Sequence, residues 1–242
     1  MSEGPAMTAR APGEDHRLEI EALKRHVSEM SELAVQMVAD GTRALIDNDA
    51  ALAATVVSHD STLDKFDIDT ETETMHLIAI IQPEGSDLRT LGAALKIATC
   101  VDRIGRLGYD IARNLSTGPA PRDSTHQDLL REMDKHGRAM VVLAIHAFLT
   151  NDAAEAKEVF GMDDDVDALY LEVQKRLIAL LQLGGLTVER LAHEILVARH
   201  LERVADNACK IAEKAIYAIT GERRTEYFPA LAHRTPAGRI VP

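Results

Sequence analysis

The 242-residue chain carries 39 Asp and Glu against 27 Lys and Arg, a formal charge of −12. That balance excludes duplex nucleic acid as a partner, because binding it needs a surplus of cations to displace counterions. Hydrophobic content is 46%, enough for a core, but aromatic content is 3% with no Trp, which favours closely packed helices over a sheet sandwich.

From the N-terminus, residues 1–15 are rich in Gly, Pro, Ala and charge and read as a disordered arm. The first helical run, about 16–47, has Leu23, Val27, Met30, Ala34, Met37, Gly41 and Leu45 at spacings of three and four. Asn48 or Asp49 then offers a cap for a second run, about 50–82, that ends at Gln82-Pro-Glu-Gly85. Ser86 is a candidate cap for a third run, about 86–117, which ends near Ser116-Thr-Gly-Pro119. A fourth run, about 124–150, is broken at Thr150-Asn-Asp152. A fifth, about 152–183, ends at Gly184-Gly185, and Thr187 is the expected cap of a sixth, about 187–221. Residues 224–242 carry Pro229, Pro236 and Gly238 without periodicity and read as a loose tail.

The runs repeat. Ile46-Asp-Asn-Asp-Ala50 matches Leu149-Thr-Asn-Asp-Ala153, and Asp60-Ser-Thr-Leu-Asp64 matches Asp163-Asp-Asp-Val-Asp167, about 103 residues on. LIAIIQ at Leu77 matches LIALLQ at Leu177, and Asp102-Arg-Ile-Gly-Arg106 matches Glu202-Arg-Val-Ala-Asp206, about 100 residues on. Short turns between long helices force antiparallel packing. The expected fold is therefore all-α: two pseudo-symmetric antiparallel three-helix bundles, over 16–119 and 120–223.

The longest apolar run, Ala139 to Phe148, is interrupted by His146 and too short to cross a bilayer. The N-terminal stretch has no apolar core of signal-peptide type. Cys100 and Cys209 have no ligand-spaced neighbour and read as free thiols of a reducing compartment. A cytoplasmic protein without membrane insertion is expected.

Chemistry is carried by acids four apart. Glu202 and Asp206 lie at the border of the apolar stripe Ala198, Leu201, Ala205, Ala208, Ala212, Ala215 and Ile219, on one helix face with Cβ atoms ~5–6 Å apart. Asp163 and Asp167 repeat the spacing on the preceding run. If the two helices are antiparallel neighbours, four carboxylates converge beside an apolar core, and they cannot all stay ionised there without a cation. Hard oxygen ligands suit Mg, Mn, Ca or Fe. In the first copy Asp60, Asp64 and Asp102 match, but Arg106 stands in place of the fourth acid and can itself neutralise the other three. The plainer account is that such pairs arise by chance in a chain this acidic, with Asp163 to Asp165 simply near a helix start where the dipole favours them. Asp60 and Asp64 lack that excuse, because Thr55-Val-Val-Ser58 precedes them and no helix start is apparent.

Other motifs are weak. The ferritin-like signature needs Glu-x-x-His on two helices. Only Glu73-Thr-Met-His76 fits, with Ala179 in place of the His in the second copy. There is no Gly-rich phosphate loop, no G-x-S-x-G and no H-E-x-x-H. His200 lies about 160° around an ideal helix from Glu202 and reads as structural.

Two stretches carry a family resemblance: QPEGSDLRTLGAALKIATCVDRIGRLGYDIARN, from Gln82, and ILVARHLERVADNACKIAEKAIYAITGE, from Ile195. On these the chain resembles the PhoU family of bacterial phosphate-uptake regulators, over about residues 16–223. The resemblance implies two three-helix bundles, each with an acid-x-x-x-Asp motif on two helices where some members bind metal. Carried over, the motif is Asp163, Asp167, Glu202 and Asp206 in the second bundle, and Asp60, Asp64 and Asp102 in the first, with Arg106 departing. It further implies a non-enzymatic negative regulator of phosphate uptake and phosphate-starvation signalling. The implied partners are the ATPase subunit of a phosphate ABC transporter and a sensor histidine kinase, with a homodimer as the expected assembly. The metal expected is Fe, Mn, Mg or Zn. The alternatives are a metal-dependent enzyme or metal-storage protein in a helical bundle, and a scaffold whose acids are merely solvated.

Overall fold

A computed structural model describes residues 12–115 and 124–222. Among them the regular structure is helical: α1 Pro12–Asp47, α2 Ala50–Ser58, α3 Asp60–Ile81, α4 Gly85–Asn114, α5 Ser124–Thr150, α6 Ala153–Gln182 and α7 Val188–Thr220. Helix α1 begins at Pro12, a few residues before the expected start, with proline at the position where its missing N–H costs nothing. The rest of the expected arm, and the tail from residue 224, lie outside the described residues.

The start signals are those the side chains dictate. Asp49 Oδ1 accepts from the N–H groups of Ala51 and Leu52, both at 3.0 Å. Asp152 repeats the cap on Ala154 and Glu155. Thr187 Oγ1 accepts from Arg190 N at 3.2 Å. Each satisfies backbone donors that a helix start leaves unpaired. Helix α4 differs: it starts at Gly85 (φ +59), with Glu84 at the cap position and no side-chain cap bond, so Ser86 does not cap it.

One run also differs. The stretch from 50 to 82 is expected as a single helix, but it divides at His59 into α2 and α3. The chain tightens there, with His59 N–H donating to Val56 O at 3.1 Å in a three-residue turn. In the second copy α6 runs through the matching place unbroken. Asp60 therefore does occupy a helix first turn, whereas Asp163 to Asp165 lie well inside α6. The dipole explanation thus exists for the first-copy acid and not for the second-copy ones, the reverse of the sequence expectation.

Helices α1, α2–α3 and α4 pack on one another, as do α5, α6 and α7, and the two groups join where α4 meets α7 and α1 meets α5. Both joins are antiparallel. Arg89 Nε, near the start of α4, donates to Ala218 O near the end of α7 at 3.3 Å, while His193 Nδ1 lies 3.4 Å from Asn114 Oδ1 at the opposite ends. Lys24 on α1, 2% exposed, donates to Leu149 O at the end of α5 at 2.9 Å and lies 5.4 Å from the Phe148 ring.

The spaced apolar residues become the core. Leu23, Val27, Met30, Ala34, Met37 and Leu45 are buried along α1, and Ala198, Leu201, Ala205, Ala208, Ala212 and Ala215 along α7. Helices α1 and α4 cross closest at two glycines. A Cβ on Gly108 would stand 2.6 Å from the Met37 carbonyl carbon and the Val38 nitrogen, and one on Gly41 would stand 2.5 Å from Gly108 O. Backbone cannot yield to such contacts as a side chain can.

Candidate functional site

The outer helix of each group lies against the inner helix that carries the second acid pair: α3 against α4, and α6 against α7. Antiparallel or not, packing at this range brings the two acid-bearing faces within reach, so the side chains decide what each cluster becomes.

In the first group the cluster closes on Arg106. Its Nε donates to Asp102 Oδ2 at 3.0 Å, its Nη2 to Asp64 Oδ1 at 2.5 Å, and its Nη1 stands 3.6 Å from Asp60 Oδ1. One guanidinium thus serves three carboxylates from two helices, the use its planar fork of donors suits. The hydrogen bond that Arg106 donates to Asp102 and the charges of all three acids hold Arg106 protonated more firmly than usual, against partial burial. Asp67, one turn beyond Asp64, was not foreseen as a neighbour. Burial first, then the charges of Asp102, Glu71 and Asp64, raise its carboxyl above the usual range, with Arg106 opposing.

In the second group no guanidinium takes that place, because Asp206 stands where the first copy has Arg106. Glu202 is 7% exposed and its Oε2 has no hydrogen-bond partner. Burial, then the charges of Asp206, Asp167 and Asp163, push its carboxyl up to about 7, and Arg199 opposes them. Arg199 Nη1 donates to Glu202 Oε1, one turn along α7. Cys209, one turn beyond Asp206, hydrogen-bonds Asp163 on α6, and burial together with the surrounding acids raises its thiol strongly. Asp163, Asp167, Glu202 and Asp206 are therefore brought into one electrostatic neighbourhood, as the spacing implies.

Arg199 and Cys209 complete this neighbourhood; in sequence Arg199 does not stand out, and Cys209 reads only as a free thiol without a ligand-spaced neighbour. The signal was present in helical spacing, since Arg199 precedes Glu202 by three and Cys209 follows Asp206 by three. His200 is buried on the far side, its charged form disfavoured by burial while Asp110 favours it. His76 is exposed on α3.

A metal tests the two clusters differently. The first does not fit, because Arg106 already occupies the centre of the three acids. The second fits by charge: the residue with an unpartnered buried carboxylate oxygen, Glu202, lies within electrostatic range of three further carboxylates, a set that favours a hard cation. As the side chains stand, no group of three or more His, Cys, Asp or Glu among the described residues is gathered so that it could hold a metal ion. A cation would have to draw the four carboxylates inward from their present rotamers.

The PhoU domain model matches residues 27–115 and again 130–215, one match in each helical group. The chain belongs to the PhoU family. The likeness extends along most of the chain. A "Phosphate-specific transport system accessory protein PhoU homolog" of Rhizobium meliloti (strain 1021) is 31% identical over 84% of this chain and 86% of its own length. A homologue of the same description from Aquifex aeolicus (strain VF5) is 32% identical over 84% of this chain and 92% of its own. The crystal structure of PhoU from Pseudomonas aeruginosa superposes with a TM-score of 0.78 at 30% identity, covering 85% of this chain and 99% of that one. The phosphate transport system regulatory protein PhoU from Streptococcus pneumoniae gives 0.80 at 22% identity, over 86% of this chain and 99% of that one, and shares the fold. No helix among the described residues of this PhoU-family chain is long and apolar enough to cross a membrane.

Proposed function

We propose that this protein is an accessory regulator of a phosphate-specific transport system, acting by binding and without turnover. It restrains phosphate uptake and phosphate-starvation signalling, and it links the ATPase subunit of a phosphate ABC transporter to a sensor histidine kinase at the cytoplasmic face of the membrane. It works there as a cytoplasmic homodimer. The observation that carries this reading is the two-fold match of the PhoU domain, together with relatives of that description over more than four-fifths of the chain.

The second bundle is the proposed metal site, with Asp163 and Asp167 from α6 and Glu202 and Asp206 from α7 as ligands. A bound Mn, Fe, Mg or Zn ion would neutralise carboxylates that repel one another and pin α6 to α7. Asp60, Asp64 and Asp102 form the counterpart, in which Arg106 does the same by ion pairing. One cluster then tunes the bundle with metal supply and the other is always closed.

Co-purification of the tagged full-length protein with the cognate transporter ATPase and with the sensor kinase tests the regulatory reading. Retention of both partners supports it, and failure to retain either one overturns the bridging role. Elemental analysis after mild purification tests the metal site separately.

A further inference from the structure

We infer that the seam between α4 and α7 is a binding site for a nucleoside polyphosphate. At the end where α4 starts and α7 finishes, a cavity of about 610 Å³ opens to solvent between the two helices. That is the size of sites that bury small ligands. Arg89 and Lys96 enter it from α4, and Lys214 from α7. Arg89 is braced for the purpose. Its Nε is tied to Ala218 O, and its guanidinium lies against Gly221, whose added Cβ would meet Arg89 Cζ at 3.5 Å.

The cations continue beyond the cavity. Arg103 lies two turns past Lys96 on α4, and Lys210 one turn before Lys214 on α7. Arg103, Lys210 and Lys214 act electrostatically on the buried Cys100 thiol, and Glu213 acts on it in the opposite sense, so these charges surround one part of the seam. Lys96, Arg103 and Lys210 have no carboxylate ion-pair partner among the described residues. Lys214 shares its charge with Glu213, whose Oε2 lies 3.7 Å from its Nζ, so in a chain of net charge −12 the row, with Lys96, Arg103 and Lys210 outside any such pair, is an electrostatic track for a polyanion.

The rest of the lining argues against a bare anion. Leu88 and the Tyr217 ring supply apolar surface, and Gly92 leaves the floor open, with nothing within 4 Å of where its Cβ would be. A planar base stacks well on such a ring. Glu213 and Glu222, which would repel inorganic phosphate, also line the cavity. They suit the hydroxyls and exocyclic amine of a nucleoside. The base and sugar therefore take the cavity, and the phosphates run along Lys96 and Lys214 toward Arg103 and Lys210.

Titration calorimetry of the full-length protein with ATP, tripolyphosphate and inorganic phosphate tests this. Saturable ATP binding is expected, about tenfold or more tighter than tripolyphosphate, and weakened about tenfold or more by Lys96→Glu or by Lys214→Ala. Lys135→Ala, remote from the seam on α5, leaves it unchanged. No saturable binding of ATP overturns the site. Equal affinity for tripolyphosphate overturns the nucleoside part, and binding indifferent to both seam substitutions overturns the location. Both variants melt as the parent does if their effect is on the ligand alone. Because these readouts need neither transporter nor kinase, they stand or fall apart from the regulatory reading.

Discussion

Arg106 on α4 donates through Nη2 to Asp64 on α3, 2.5 Å from its Oδ1. The same guanidinium meets Asp102 and Asp60. At the matching place in the second copy the chain has Asp206. A single codon-sized difference thus decides whether a cluster of acids is closed by a guanidinium or lacks one.

Replacing Arg106 by Ala removes the cation from three carboxylates. Arg106 is 48% exposed at its side chain, so solvent screens the pairs and the loss is modest, about 1 kcal/mol. Arg106→Asp costs more in chelator, because a fourth acid adds repulsion, and added Mn then recovers the loss. Thermal melts of the three proteins with and without chelator check this. Equal melting of Arg106→Asp in both buffers sinks the account of the first cluster.

Asp206→Asn lowers the charge that the second cluster presents to metal. Metal content and metal-dependent stabilisation should both fall, by about tenfold in affinity. Asp164→Asn, on the exposed side of α6, should change neither. Quantitative metal titration of the two variants decides, and identical isotherms would show that the four acids are only a solvated face.

Glu202 makes the metal-free protein sensitive to pH in an unusual direction. Its carboxyl is raised from 4.5 to about 7 in the fold. Between those values the folded state keeps a proton that the unfolded chain releases, so stability falls as pH rises from about 4.5 to about 7. The whole effect is at most roughly 3 kcal/mol. Denaturant titrations across this range in chelator measure it. Glu202→Gln should flatten the profile, and if the variant and the parent share the same slope, Glu202 is not its source.

Gly108→Ala tests the crossing of α1 and α4. The new methyl meets the backbone of Met37 and Val38 at 2.6 Å, so the helices must part, at a cost of about 1–3 kcal/mol. The matching residue of the second copy is Ala208, where a methyl is already buried. Ala208→Gly should cost about 1 kcal/mol, in keeping with helix propensity. Urea unfolding distinguishes a steric clash from a propensity effect: helix propensity alone would make Gly108→Ala a gain, and a gain would argue against the close approach.

Lys24→Met keeps the length of a buried side chain but leaves Leu149 O, its 2.9 Å acceptor, without that donor. A loss of about 1–3 kcal/mol is expected. Equilibrium unfolding measures it, and a stability gain would mean that desolvation of the ammonium outweighs its bonds to the end of α5.

Periodicity alone determined that the described chain is helical, where most helices begin and which faces are buried, since apolar spacing, caps and glycine stops are local properties. The internal repeat also announced that the acids of runs five and six belong with those of two and three. Local pattern could not foresee the break at His59, because that residue keeps helical dihedrals (φ −76, ψ −14) and only the backbone hydrogen bonding changes there. It could not place Arg199 against Glu202, or Cys209 against Asp163, because burial and rotamer depend on the helix packed opposite. Nor could it reveal the cations of α4 and α7 as one seam: Lys96 and Lys214 are 118 residues apart in sequence, and only the antiparallel join of the two bundles puts them beside the same cavity. Which charges share a low-dielectric neighbourhood is a property of packing, whereas the parting of the two acid clusters, Arg106 in one and Asp206 in the other, is already written in the sequence.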